Sequence, residues 1–287
     1  MRVVVDSNML ESEELRALLS ASADNRAILP DYIWIEAYRH DAANSIVSRL
    51  SVLKDFPQQV DVLKGTRTIA AMAVAAPKIA DKMVRRNSRS NFAGTVEALD
   101  QIQTGVPGVV EQVLCHAERA ERQSRRMSLG VPEILTSLPE MQVQMFTEAE
   151  VRICRTSNRF TPEMIGSIFG AAEQIGEALM ESHPAKPRAP VDAPPLDCFY
   201  HRCALAIVLY LVAWIKVGSP KRTRHDKVHN DIIDLMLATL ATFFNGLMSK
   251  DAKALDLFWN LRGALVAREA HVPADWRDLW MMRAAQS

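Results

Sequence analysis

The sequence predicts an α/β fold in which short parallel strands alternate with helices. Three short apolar runs indicate the strands, at residues 3–5, 27–29 and 247–248. The first run is Val-Val-Val, and β-branched runs of this kind fill parallel strands that are buried on both faces. Stretches of helical character separate these runs, so we expect a parallel sheet flanked by helices.

Composition sets wide limits on the function. The 287 residues are 48% apolar and 24% charged, which describes a globular chain large enough for one big core or two modest ones. Equal numbers of basic and acidic side chains give a formal charge of zero, so any contact with a polyanion must be local. The four cysteines have no metal-binding spacing and no signal-peptide pattern opens the chain, so we expect a cytoplasmic location.

Five acids stand at the ends of predicted strands or in predicted helices. Asp6 ends the first strand, Glu36 lies in the helix after the second, and Asp251 follows the third. Asp231 and Asp234 are three residues apart and therefore share one face of an otherwise apolar helix. Because α/β sheets collect their functional groups at the carboxyl ends of the strands, we expect these acids to meet in one crevice.

Such a crevice needs a cation. Two carboxylates about 4 Å apart repel each other by roughly 4 kcal/mol at an effective dielectric near 20. Several together would take up protons unless a divalent metal neutralised them. Oxygen ligands without a His or Cys pair favour Mg²⁺ or Mn²⁺ over Zn²⁺.

The remaining elements are predicted in chain order. A helix is expected over 30–54, and residues 58–182 are helical in character, which predicts a large inserted all-α subdomain. Residues 183–197 are rich in proline and predict a stiff linker.

The apolar run 203–215 is too short for a membrane span and predicts a core helix, and 252–268 predicts another helix. Residues 1–57 and 198–287 would then form one discontinuous domain.

Two groups of basic residues are candidates for binding RNA. The first has helical spacing, so its members would lie along one helix face, where they would follow a phosphate backbone. Its members are Lys78, Lys82, Arg85, Arg86 and Arg89. Arg222 and Arg224 form the second group, in a loop directly before the acidic pair, where they would grip phosphates. Both groups are equally consistent with an ordinary solvated surface.

Four motifs resemble those of the PIN domain family, a metal-dependent nuclease fold found in RNA-cleaving toxins and RNA-processing enzymes. VVVDSN at 3–8 is similar to the first motif, and ILPDYIWIEAYR at 28–39 resembles the second. HNDIIDLMLATLATFFNGLMSKD at 229–251 resembles the third and fourth, with Ser249 where the family usually has Thr or Ser. The resemblance covers 1–55 and 198–287, and nothing between them matches.

This resemblance implies a metal-dependent endoribonuclease that uses Mg²⁺, or Mn²⁺, to hydrolyse RNA phosphodiester bonds. It implies central metal ligands at Asp6 and Asp251, with ligation directly or through water by Glu36 and Asp231. Asp234 would be a further ligand, and which of Asp231 and Asp234 lies in the inner shell stays open. It also implies that Asn8 and Ser249 orient carboxylates or water.

The biological role is less constrained than the chemistry. A toxin of a toxin–antitoxin pair and a defence effector both fit, with RNA, an antitoxin or other protein partner, or a second copy of the chain as partners, and no membrane. The preference for RNA over DNA is open. The alternative is a non-catalytic PIN-like module that binds RNA or a protein through the helical insertion. Singly, each acid also has a plain interpretation, such as a helix cap for Asp6 or a turn residue for Asp251.

Overall fold

The α/β class is confirmed by the computed structural model, which describes residues 1–38, 42–104, 106–129, 131–157, 159–220 and 225–284. Its strands form one parallel sheet in the order β3-β2-β1-β4. They are β1 (Arg2–Val5), β2 (Arg26–Leu29), β3 (Val60–Val62) and β4 (Leu247–Met248). The three predicted strands are therefore present, with bounds within one residue of those expected.

Helices surround this sheet. In the described part of the chain they are α1 (Glu13–Ser20), α2 (Tyr32–Ala37), α3 (Ala42–Arg49), α4 (Ser51–Lys54), α5 (Thr66–Ala70), α6 (Lys78–Met83), α7 (Ser88–Gln103), α8 (Pro107–Leu129), α9 (Val131–Met145), α10 (Glu148–Thr156), α11 (Pro162–Ser182), α12 (Phe199–Lys216), α13 (His225–Ala241), α14 (Ala252–Ala267) and α15 (Trp276–Ala284). Short 3₁₀ turns occupy Ser7–Met9, Pro57–Gln59 and Pro195–Asp197.

The sheet separates two hydrophobic cores, because successive side chains of a strand point to opposite faces. Val4 and Ile28 belong to the large core, which contains most of α12, α13 and α14. Val3 and Val5 belong to the small core, which contains the apolar faces of α1, α4 and α7. The strands are thus buried on both faces, as the β-branched run predicts.

Strand β3 corrects the expectation of an all-α insertion that begins at residue 58. It pairs in parallel with β2 and forms the edge of the sheet. Its three residues, Val-Asp-Val, are too few to show the alternation that identifies a strand in sequence. Its central Asp61 is buried and accepts a hydrogen bond from Ser88 at 3.3 Å, so burial does not require an apolar side chain there.

The later part of the predicted insertion does consist of helices, but these share a core with the rest of the chain. Phe146, Val151 and Met164 of this part are buried in the same large core as Leu205 and Val208 of α12. The segment 183–197 contains no helix or strand apart from its final 3₁₀ turn, as its prolines predict. The helices before and after the predicted linker therefore pack into one core.

Helix α12 is the predicted core helix, extended at both ends. By length and composition it alone among the described helices would pass as a membrane span, and 67% of its most apolar window is buried inside the protein. Its buried Arg202 donates hydrogen bonds to the carbonyl oxygens of Thr242 and His271, and pairs with Asp197. The prediction of a core helix is confirmed.

The single helix expected over 30–54 is instead divided into α2, α3 and α4. A straight helix of that length would extend for about 37 Å, away from the sheet on which its apolar residues must pack. Division allows Tyr32 and Ile35 to reach the large core while Ile46 and Leu53 reach the small core.

Candidate metal centre

The candidate site starts where β1 ends. Asp6 directly follows the strand, and its backbone N–H donates to the carbonyl oxygen of Met248 at 2.9 Å, which extends the pairing of β1 with β4. The Asp6 side chain is only 7% exposed. Burial raises the pKa of this carboxyl, and the nearby charge of Glu36 adds to the rise, while hydrogen bonds from Ser249 and Ser7 oppose it.

Ser249 links the ends of β1 and β4. Its hydroxyl donates to Asp6 Oδ2 at 2.6 Å and accepts from the backbone N–H of Asp251 at 3.0 Å. Asn8 completes the link, because its amide donates to Asp6 Oδ2 at 2.8 Å and its carbonyl accepts from the Lys250 N–H at 3.0 Å. Both residues thus hold the Asp6 carboxylate in place.

Glu36 reaches the same place from α2. Its Oε2 accepts a hydrogen bond from the hydroxyl of Ser7, the residue after Asp6. The backbone N–H of Ser7 donates to Asp6 Oδ1 at 2.6 Å. Ser7 therefore connects the two acids, and Glu36 is half-buried rather than a free surface residue.

Asp251 lies at the N-terminus of α14 and caps it. Its Oδ1 accepts from the backbone N–H groups of Lys253 at 2.7 Å and Ala254 at 3.2 Å. This is the usual geometry of an acidic N-cap. Asp251 is therefore a helix cap rather than the plain turn residue of the alternative interpretation, and the cap uses one of its oxygens.

Helix α13 brings the remaining pair. Asp231 is 6% exposed; its Oδ2 accepts from the Tyr210 hydroxyl at 2.8 Å, and its Oδ1 forms an ion pair with Lys253. The Lys253 ammonium also lies 5.3 Å from the centre of the Tyr210 ring. Asp231 is therefore already neutralised by a cation of the chain itself.

Three neighbouring carboxylates affect the pKa of Asp234. Burial, and then the charges of Asp251, Asp6 and Asp231, raise the pKa of its carboxyl to about 7 against the opposing effect of Lys253. These couplings show that acids from three separate stretches of the chain share one electrostatic environment. The carboxyl of Asp234 is therefore partly protonated at neutral pH.

The donor chemistry of this acid cluster, formed by Asp6, Glu36, Asp231, Asp234 and Asp251, fits a hard divalent cation. Its donors are carboxylate oxygens, which Mg²⁺ and Mn²⁺ prefer. Among the described residues, no group of three or more His, Cys, Asp or Glu side chains stands ready to hold a metal ion. Ligation by Asp231 would require it to exchange Lys253 for the metal.

The predicted basic stripe does not lie on one helix face. Lys82 lies in α6, but this helix ends at Met83, and Arg85 and Arg86 follow in the link to α7. The reason is Val84, which is extended and bridges Leu63 beside β3. Arg222 and Arg224 lie outside the described residues.

Sequence reasoning missed two residues of the site. Lys253 and Tyr210 both contact Asp231, yet a Lys in the first turn of a helix and a Tyr in an apolar helix are commonplace. No role was predicted for Ser7, which follows Asp6 in the first motif, yet it connects Asp6 with Glu36. Spacing from Asp251 was the only signal for Lys253, since residues in the first turn of α14 lie beside its cap.

Comparison of the chain with protein-family models, curated proteins and solved structures gives no match. The resemblance to PIN domains therefore rests on the four motifs and on nothing else. The function has to be argued from the acid cluster.

Proposed function

We propose that this chain is a PIN-like, metal-dependent endoribonuclease whose acid cluster binds Mg²⁺ or Mn²⁺. The observation that carries the proposal is the link through Ser249, which joins Asp6 and Asp251 across the carboxyl ends of β1 and β4. These residues are 245 positions apart in the chain, so a local capping preference does not account for their meeting. Glu36 joins the same place through Ser7.

The side chains of the site would have different roles. Asp6, Glu36, Asp231, Asp234 and Asp251 would hold the cation, with Asp6 fixed by Asn8 and Ser249. When bound, the metal would lower the pKa of a water molecule and stabilise charge that develops on the phosphate. Asp234, whose carboxyl has a pKa of about 7 in the metal-free protein, would release its proton when the cation binds. Lys253 screens Asp231 until a cation replaces it.

The broader proposal keeps RNA as the substrate and Lys82, Arg85 and Arg86 as residues that would contact it. A toxin or defence effector would act in the cytoplasm, and all four cysteines are free thiols in the structure, which suits a reducing compartment. An antitoxin, another protein, or a second copy of the chain would be its partner.

Incubation with labelled RNA and DNA tests this function. Cleavage should require Mg²⁺ or Mn²⁺ and stop with a chelator. Asp251→Asn should lower the rate at least about a hundredfold, because a metal ion contributes several kcal/mol to such reactions. Asp24→Asn is the matched control, since Asp24 is an exposed acid near the opposite, amino end of β2. Cleavage that persists in chelator, or at full rate in Asp251→Asn, would overturn the proposal.

The second candidate is a non-catalytic module with the same fold. The ion pair of Lys253 with Asp231 favours it, since a cation of the chain already neutralises one acid of the cluster. Binding of RNA without cleavage at any concentration of Mg²⁺ or Mn²⁺ would support this candidate.

A further inference from the structure

A cavity adjoins the acid cluster. It has a volume of about 340 Å³ and lies where α12, α13 and α14 meet. This volume falls within the roughly 300–1,000 Å³ that is typical of small-ligand sites. Asp231 and Asp234 form part of its wall, so whatever occupies the cavity lies beside the candidate metal centre.

Aromatic and aliphatic side chains form the rest of the deep wall. Tyr210 and Trp214 stand one turn apart on α12, and Leu257 faces them from α14. Both aromatic side chains are half-buried, so part of each is accessible to a ligand. The Tyr210 ring is fixed by the hydrogen bond of its hydroxyl to Asp231.

The outer part of the cavity is polar. Asp256 and Asn260 are exposed residues of α14 that line it, and Lys227 lines it from α13. Lys253 stands between the aromatic wall and Asp231, where its ammonium contacts both. The cavity therefore combines a flat apolar wall, an amide and a carboxylate near the surface, and a cation next to the acid cluster.

We infer that this cavity binds the base of the nucleotide next to the bond cleaved at the acid cluster. The inference rests on the proposed function and adds a substrate subsite to it. A nucleobase has a flat face that stacks on aromatic side chains and an edge of hydrogen-bond donors and acceptors. Trp214 suits the face, with Tyr210 and Lys253 beside it, while Asp256 and Asn260 suit the edge.

The position of the cavity selects a nucleotide over an apolar ligand. An apolar ligand would leave Asp231, Asp234 and Lys253 without a role at the end of the cavity. A nucleotide carries its phosphate on the side away from the base edge, so that phosphate would lie toward Lys253 and the acid cluster. A protein side chain is the competing occupant of the cavity, and absence of nucleotide binding by the wild type would overturn the inference in its favour.

Binding of adenosine and uridine 5′-monophosphates, measured by calorimetry in Mg²⁺ buffer, tests the subsite without cleavage. Trp214→Leu should weaken binding about 5- to 150-fold, the loss expected for one stacked base, while it keeps an apolar side chain in the wall. Trp259→Leu is the matched control, because Trp259 is 41% exposed on α14 and does not line the cavity. Asn260→Ala, a change at an exposed position, should alter the preference between the two nucleotides.

Cleavage of RNA with a single abasic nucleotide beside the cut distinguishes a site for RNA from a site for free nucleotides. Wild type should show a raised KM on the abasic RNA with little change in kcat, and Trp214→Leu should show no further rise.

Unchanged KM for Trp214→Leu on normal RNA would overturn the subsite while the proposed function stands. Absence of cleavage with Trp214-dependent nucleotide binding would overturn the proposed function but retain the nucleotide site. Nucleotide binding that is equal in Trp214→Leu and Trp259→Leu would overturn the inference.

Discussion

Asp234 shows how the surroundings of a residue decide its chemistry. In sequence it is one of two acids on an apolar helix. In the folded chain, burial and three neighbouring carboxylates raise its pKa to about 7, although Lys253 opposes them. A carboxyl that is partly protonated at neutral pH is a sensitive reporter of the acid cluster.

The pH dependence of stability should reveal this carboxyl. In chelator, the unfolded protein loses the Asp234 proton near pH 4 and the folded protein only near pH 7. The free energy of unfolding contributed by Asp234 therefore falls as pH rises from 4 to 7 and is constant above that range. Asp234→Asn should become more stable relative to wild type across this window, by about 1 kcal/mol or more, since each pKa unit corresponds to roughly 1.4 kcal/mol.

Urea unfolding at pH 4.5, 6 and 8 measures this difference. The exposed-acid variant Asp24→Asn is the control and should follow wild type at each pH. A difference between Asp234→Asn and wild type that does not change with pH would mean that Asp234 ionises normally in the folded protein.

The residues of the site could be predicted from sequence where they belong to a motif. They could not be predicted where only a tertiary contact brings them to the site. Asp6 and Asp251 follow recognisable strands, so their meeting at one sheet edge was predictable. Lys253 and Tyr210 contact Asp231 only because α12, α13 and α14 pack together. No local pattern encodes that packing.

Helix α14 has two links to the site. Asp251 caps it with hydrogen bonds to two backbone N–H groups, and Lys253 in its first turn pairs with Asp231. The Asp251 carboxylate that caps the helix would also bind the cation. Stability and metal binding therefore depend on different properties of one side chain, its hydrogen-bond acceptor and its charge.

Two substitutions separate these properties. Asp251→Asn keeps an acceptor for the cap but removes the charge, so thermal stability should hold while cleavage falls. Asp251→Ala should lose both, with about 1 kcal/mol of stability lost from the cap. Ser12→Ala is the matched control, because Ser12 caps α1 through the N–H of Leu15 at 3.1 Å, away from the acid cluster. Equal cleavage by Asp251→Asn and wild type would leave Asp251 with its cap role alone.

Elements differed in how well the sequence predicted them. The strands β1, β2 and β4 are marked by apolar runs, whereas β3 has a buried Asp61 at its centre and only three residues. The basic stripe assumed a continuous helix from Lys78 to Arg89, but Val84 pairs with Leu63 and ends α6 early. Short strands and bridges depend on a partner segment, and sequence spacing does not show the partner.

The sheet separates two cores of the protein, and the later helices complete the larger one. Helix α11 packs on α12, so the segment predicted as an insertion helps to bury the helix that carries Tyr210 and Trp214. The sequence predicted the α/β class but not this shared core. Packing partners between distant helices depend on shape, which apolar composition alone leaves undetermined.

If acids from separate segments form one cation site, calorimetric titration of Mg²⁺ into the metal-free protein should detect it. Wild type should bind saturably, more tightly as pH rises through 7 because Asp234 must release its proton. Asp6→Asn should bind at least about tenfold more weakly, since it removes one charged ligand, and Asp24→Asn should match wild type. Saturable binding of equal strength in Asp6→Asn, or no saturable binding by wild type, would mean that these acids do not form a cation site.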